Sequence, residues 1–170
     1  MSGEPGLGDT ELERAEIDEL ADSWSRAWTE GAGFADCCTV AVSYEDPLAI
    51  EPLTGLDALE RHAEALRAAF PDAQVERTAP ALQRGEHACI PWRLRGTHLG
   101  KLAGLPATEE KLVIHGLHYL ELCDGRISRA RGFFDLYDGS IQLGLLPARG
   151  GLGESALLLL RGFGLRRGRT

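Results

Sequence analysis

Few side chains in this chain are placed to do chemistry, and the first is Asp135, which follows Phe133-Phe134 and stands two residues before Tyr137. A carboxylate enclosed by aromatic rings has its pKa raised by desolvation, and that suits it to exchange protons near neutral pH. Asp135 is equally suited to pair with Arg129 or Arg131, which share its strand parity, or to cap a following helix. Gly132 keeps these choices open, because a bulge there would exchange the faces of the residues on either side. His118 shares a strand face with Ile114, Leu120 and Leu122. In that apolar wall it is either a satisfied core histidine or a donor to a substrate oxygen or to Asp135. Trp92 and Leu94 share a face that continues to His98, giving an aromatic wall with a polar edge, although core packing explains Trp92 equally well. Tyr44 and Asp46 offer a hydroxyl and a second carboxylate, while Asp46 before Pro47 is also an ordinary turn residue. Trp24 and Trp28, four residues apart, form one helix face that either borders a ligand or belongs to the core.

Other chemistries lack their residues. His115 and His118 fall on opposite faces of a strand, and there is no HExxH motif or cysteine cluster, so no metal centre is expected. Glycine-rich phosphate-binding motifs and a serine nucleophile elbow are absent, and no cofactor is expected. The formal net charge of −8 argues against a nucleic-acid partner, which needs a concentrated basic surface. Acidic residues crowd the first thirty positions, whereas Arg149, Arg161, Arg166, Arg167 and Arg169 make the end basic. Cys37, Cys38, Cys89 and Cys123 have no CxxC spacing and no signal peptide precedes them, so reduced thiols in a cytoplasmic protein are expected. The longest apolar run, Ala156 to Leu160, is far short of the roughly 20 residues that span a bilayer, and no membrane association is expected.

These side chains must be carried by one domain, since 170 residues with 44% hydrophobic positions suffice for one well-buried core. Residues 1–9 read as a disordered tail. Ile17, Leu20, Ala21, Trp24, Ala27 and Trp28 share one helical face and predict a helix over about 10–30, ended by Gly31 and Gly33. A short helical turn over Phe34–Cys38 and a strand over Thr39–Glu45, with Val40, Val42 and Tyr44 alternating, come next. Leu59, Ala63, Leu66 and Phe70 predict a further helix, stopped by Pro71-Asp72. The segments 74–83, 86–97, 110–122 and 126–136 are long strand candidates, joined tightly at Arg84-Gly85 and Asp124-Gly125 and more loosely across Gly100–Thr108. Helices followed by a meander predict α+β, and strands this long favour a curved sheet able to enclose an apolar pocket. Residues 148–170 read as a basic extension in which Ser155–Leu160 forms a short helix.

Gly96-Thr97-His98-Leu99-Gly100, Gly104-Leu105-Pro106-Ala107-Thr108, Asp124-Gly125-Arg126-Ile127, Asp135 and Gln142-Leu143-Gly144-Leu145-Leu146-Pro147 come in an order and spacing that resemble the SnoaL-like polyketide cyclases of the nuclear transport factor 2-like superfamily. Tyr44-x-Asp46-Pro47 and Phe70-Pro71-Asp72 extend the resemblance over residues 12–147. Thr108-Glu109-Glu110-Lys111 departs from the family's usual Thr-Gly-Lys step. The resemblance implies a cone-shaped barrel, a curved antiparallel sheet wrapped around N-terminal helices, enclosing a pocket in a domain of residues 10–147. It implies Asp135 as general acid/base for an aldol-type ring closure of a hydrophobic, oxygenated substrate, oriented by His118, with Trp92, His98, Tyr44 and Asp46 lining the pocket and His98 at its mouth. It also implies a homodimer through the outer sheet face. An isomerase, a hydrolase or a ligand-binding module on the same fold stays open.

Overall fold

The computed structural model describes residues 7–49 and 51–160. Helix α1 spans Leu7–Glu30, a single 3-10 turn covers Phe34–Asp36, and strand β1 (Cys38–Glu45) leads through β2 (Leu53–Thr54) into α2 (Leu56–Ala69). The meander follows as β3 (Gln74–Arg77), β4 (Leu82–Arg84), β5 (His87–Thr97), β6 (Lys111–Cys123) and β7 (Arg126–Phe134). Two further helices, α3 (Leu136–Gln142) and α4 (Leu152–Leu160), complete the order. The expected tail lies mostly outside the described residues, and Leu7–Asp9 already belongs to α1. Arg166–Thr170 also lies outside them.

The seven strands make one sheet in the order β2-β1-β7-β6-β5-β3, with β4 paired to β5. All neighbours are antiparallel except β1 and β7, which run parallel because α2 and the meander intervene between them. The sheet bends over α1 and α2 without closing. Alternation selects its inner face: Ala88, Ile90 and Trp92 on β5, Leu112, Ile114, His118, Leu120 and Leu122 on β6, and Ile127 and Ala130 on β7 are all buried. From α1 the stripe Ile17, Ala21, Trp24 and Ala27 packs against it, and from α2 Leu59 and Ala63.

Three expectations need correction. Val40 is 81% exposed while Val42 and Tyr44 are buried, because the β1–β7 register shifts between Cys38 and Ser43 and a bulge turns Val40 outward. The strand expected over 74–83 is two strands, since the Thr78–Pro80 stretch carries a proline that cannot continue the ladder. The strand expected over 126–136 ends at Phe134, and Leu136 instead opens α3.

The bulge that Gly132 left open is not at Gly132. Pairing of β6 with β7 runs unbroken from Gly116–Phe134 to Glu121–Arg129, and the irregularity sits beyond it, between Glu121 and Leu122. Ala130, Gly132 and Phe134 therefore face inward, while Arg129, Arg131 and Phe133 face outward. The Asp124-Gly125 turn has φ of 51° and 73° at its two central residues, the left-handed pair a two-residue hairpin needs.

Candidate active site

Between α1, α2 and the inner sheet face lies a cavity of about 350 Å³, walled largely by apolar and aromatic side chains. Leu102 and Leu105 of the β5–β6 loop, Leu136 of α3 and Leu143 just after it line it, together with the polar side chains of Tyr44, Asp46 and His118. There β1 delivers Tyr44 inward, and the chain turns just after it at Asp46-Pro47. Asp46 Oδ1 accepts the backbone N–H groups of Leu48 (2.8 Å) and Ala49 (2.9 Å), a turn built on its own side chain. Its Oδ2 accepts from the Tyr44 hydroxyl (3.1 Å) and lies 2.8 Å from His62 Nε2 of α2. With its side chain 2% exposed, Asp46 would be pushed up by burial, but the hydrogen bond and charge of His62 and the two amides hold it below the ordinary carboxylate value. Burial, the Asp46 charge and their hydrogen bond together keep the Tyr44 phenol well above its usual range, so it stays a donor.

His118 stands opposite. Its Nδ1 accepts from Trp24 Nε1 at 3.1 Å, so its proton sits on Nε2. The ring stacks on Trp28 (5.7 Å between centroids, 11° between planes) and lies 5.4 Å from Trp92. Burial among these indoles pushes its pKa down to about 3 against the pull of Asp46, leaving a neutral imidazole with one N–H to offer. Two glycines make room for this cluster. A Cβ on Gly132 would sit 2.7 Å from Tyr44 Oη, 3.1 Å from Asp46 Cβ and 3.5 Å from His118 Cδ2, so the three groups converge over a bare patch of β7. A Cβ on Gly116 would lie 2.1 Å from Trp92 Cζ2, so the indole rests on the backbone of the neighbouring strand.

Of the residues singled out in the sequence, Tyr44, Asp46, Trp92 and His118 line one cavity. His98 and Asp135 do not. His98 is fully buried outside the cavity, its Nδ1 accepting from the Thr108 amide (3.3 Å) and lying 3.1 Å from Thr108 Oγ1. It ties together the ends of the Gly100–Thr108 loop rather than guarding a mouth. Asp135 follows outward-facing Phe133 and is the N-cap of α3, accepting from the Asp138 amide at 2.8 Å. Its side chain is 54% exposed and pairs with Arg149 at 3.1 Å, while Arg129 and Arg131 pair instead with Glu45. The Asp138 amide and Arg149 hold its carboxyl below the usual value, where enclosure by aromatic rings was expected to raise it. The residue that sequence reading missed is His62. Its position one turn from Leu59 and Leu66, at the edge of the buried stripe of α2, was the available signal. Among the described residues no three His, Cys, Asp or Glu side chains gather as a metal site.

Comparison with known proteins fits this geometry. The family model of the SnoaL-like polyketide cyclases matches residues 17–143. This chain belongs to the SnoaL-like polyketide cyclase family. Family membership implies cyclase- or isomerase-type activity. Among solved structures, a protein of Jannaschia sp. CCS1 put forward as a SnoaL-like polyketide cyclase superposes with a TM-score of 0.65 at 18% identity, covering 76% of this chain and 93% of its own. TsrD of Streptomyces laurentii gives 0.68 at 20%, covering 78% and 98%. A protein of Catenulispora acidiphila with a ketosteroid isomerase-like fold gives 0.60 at 20%, covering 75% and 93%. At these identities the structures speak for the fold. No curated protein matches the chain. No helix among the described residues is long and apolar enough to cross a membrane.

Proposed function

We propose that this chain moves a proton at the carbon next to a carbonyl of a hydrophobic, multiply oxygenated substrate of the polyketide-ester kind, leading to aldol-type ring closure without a cofactor. The observation that carries this reading is the convergence of Tyr44 Oη, Asp46 and His118 over Gly132 on the wall of a largely apolar cavity. Enolate formation needs an acceptor for the proton and a donor for the oxygen that becomes negative. Asp46, ionised across the neutral range, is the acceptor, reached through the Tyr44 hydroxyl: Oη takes the substrate proton as its own passes to Oδ2. The Nε2–H of neutral His118 is the donor. A neutral imidazole serves well here, because its N–H is closer in acidity to an enol than an imidazolium's would be. Trp92 and Trp28 supply flat walls for a planar substrate.

The test uses 1-tetralone, a fused aromatic ketone, and follows exchange of its α-hydrogens for deuterium by NMR. The expected result is catalysed exchange that Asp46→Asn, which keeps the contacts to Leu48 and Ala49, lowers by about 10²- to 10⁴-fold. Asp135→Asn is expected to leave the rate as it was. Full activity in Asp46→Asn would overturn the proposal. A non-catalytic binding protein is the second reading, favoured by one fact: all four acceptor positions of Asp46 are already engaged. Tetralone that binds without exchanging would decide for it.

A further inference from the structure

The cavity opens to the surface among apolar side chains. Leu105 of the β5–β6 loop, Leu136 of α3 and Leu145 beyond it all line the cavity and are all exposed, so they form the rim of its mouth. From this rim the surface continues onto α4. Tyr137, next to Leu136, donates its hydroxyl to Glu154 of α4 at 2.9 Å, and Arg149 lies over the Tyr137 ring while pairing with Asp135 at 3.1 Å. Asp135 thus takes part in seating α4 beside the mouth. Glu154 is the one charged residue of α4, and it is turned back to Tyr137 and the Gly150 amide. Leu152 and Leu160 of the same helix are 92% and 86% exposed, more than any other large apolar side chain among the described residues. The sequence that follows, Arg161–Thr170, adds four arginines, Phe163 and Leu165 and no acidic residue. The acids of α1 are placed elsewhere: Asp18 and Asp22 pair with Arg77, where α1 meets β3 and β4.

We propose that the rim and α4 rest on an anionic lipid surface, with α4 along the bilayer interface, the arginines after it on lipid phosphates, and the mouth of the cavity turned to the apolar layer. A bilayer span needs roughly 20 apolar residues, but a helix lying in the interface needs only an apolar side and neighbouring cations. The contact is peripheral and reversible, because one short helix buries little surface and the arginines add attraction that salt screens. Lipid fits this surface better than a folded protein does. A protein packed over Leu105, Leu136 and Leu145 would seal the mouth, whereas fluid lipid covers the leucines and also dissolves the hydrophobic molecules that an apolar cavity takes. A substrate held in the bilayer then reaches the cavity without crossing water. Only a hydrophobic ligand for the cavity is required here, with or without proton transfer.

The full chain is floated with vesicles of phosphatidylcholine alone or of phosphatidylcholine mixed with phosphatidylglycerol. It is expected to float with the mixed vesicles, to stay behind with the neutral ones, and to be released by salt. Leu152→Glu with Leu160→Glu is expected to weaken the association by about 10-fold or more, and Arg166→Gln with Arg167→Gln by about 30-fold. Neither leucine lines the cavity, so their double variant is expected to bind 1-tetralone in solution as the native chain does. Should it lose that binding, the arginine variant decides alone. Absence from the anionic vesicles, equal flotation with neutral ones, or association undiminished in the arginine variant overturns the proposal. If the leucine variant turns a dimer into a monomer in lipid-free solution, a second copy of the chain occupies this surface and the lipid contact falls.

Discussion

His118 is the residue whose burial has the clearest thermodynamic consequence. Its pKa falls from the ordinary 6.5 to about 3 on folding, so between those values the unfolded chain binds one proton more than the native one. Stability therefore falls as pH falls through this window, by about 1.4 kcal/mol per pH unit where the difference is a full proton. The lowered carboxyl of Asp46 acts in the same direction, but its stabilisation is lost only below its ordinary value of 3.8, so above that pH the slope belongs to His118 and not to Asp46. Urea denaturation at pH 7.5, 6 and 5 is expected to show this slope in the native protein and a shallower one in His118→Phe. Equal slopes would mean that His118 is solvated or protonated in the fold. At this scale the sequence was partly legible. Parity on β6 put His118 in the apolar wall, and parity on β5 put Trp92 on a face with Leu94, but neither showed that Trp92 and Tyr44 would meet His118. Asp46 was visible as a turn residue and a second carboxylate, but nothing local revealed its partner, since His62 meets it across sixteen residues and two elements.

Between elements, the site depends on how closely β5, β6 and β7 are paired. Trp92 can lie flat over β6 only because its cross-strand neighbour is Gly116, with no side chain to prop the indole away. Gly116→Ala puts a methyl where Trp92 Cζ2 now sits, so the indole must leave its place against His118. The expected cost is about 1–3 kcal/mol of stability, as for other overpacked cores, together with a changed tryptophan emission and weaker tetralone binding. A variant as stable as the native protein with unshifted emission would show that Trp92 does not rest on Gly116. Strand order explains why Asp135 was the hardest residue to place from sequence. A bulge at Gly132 would have turned it inward, whereas the unbroken ladder from Arg129 to Phe134 leaves it beyond the inner face, capping α3. A single-residue shift decides between the two, and the hydrophobic pattern around two phenylalanines and a glycine fits either. The helices and the hairpins flanking β5 and β7 were legible because their punctuation, Pro71, Gly85 and Asp124-Gly125, is local.

For the whole molecule, a sheet covered by helices on only one side leaves a second face to account for. On that outer face Leu117 lies between Pro91 and Phe133 in register, and Val113 stands further along β6. Phe133 is 51% exposed and Val113 43%, so this apolar centre is open in a single chain. Around it the charges are already paired within the sheet, Glu76 with Arg93 and Arg95, and Glu45 with Arg129 and Arg131. An apolar centre ringed by satisfied ion pairs is self-complementary under a two-fold axis, where Leu117 and Phe133 of one copy can cover those of another without stranding a charge. We therefore expect a homodimer through this face, with a mass twice the chain's 18.4 kDa by light scattering and dissociation on dilution. Phe133→Arg is expected to give a monomer at every concentration. Its ring points away from the cavity, so the monomer should still bind tetralone. A variant that remains dimeric would place the contact elsewhere, whereas loss of dimer and tetralone binding together would show that the outer face supports the cavity wall rather than serving assembly alone.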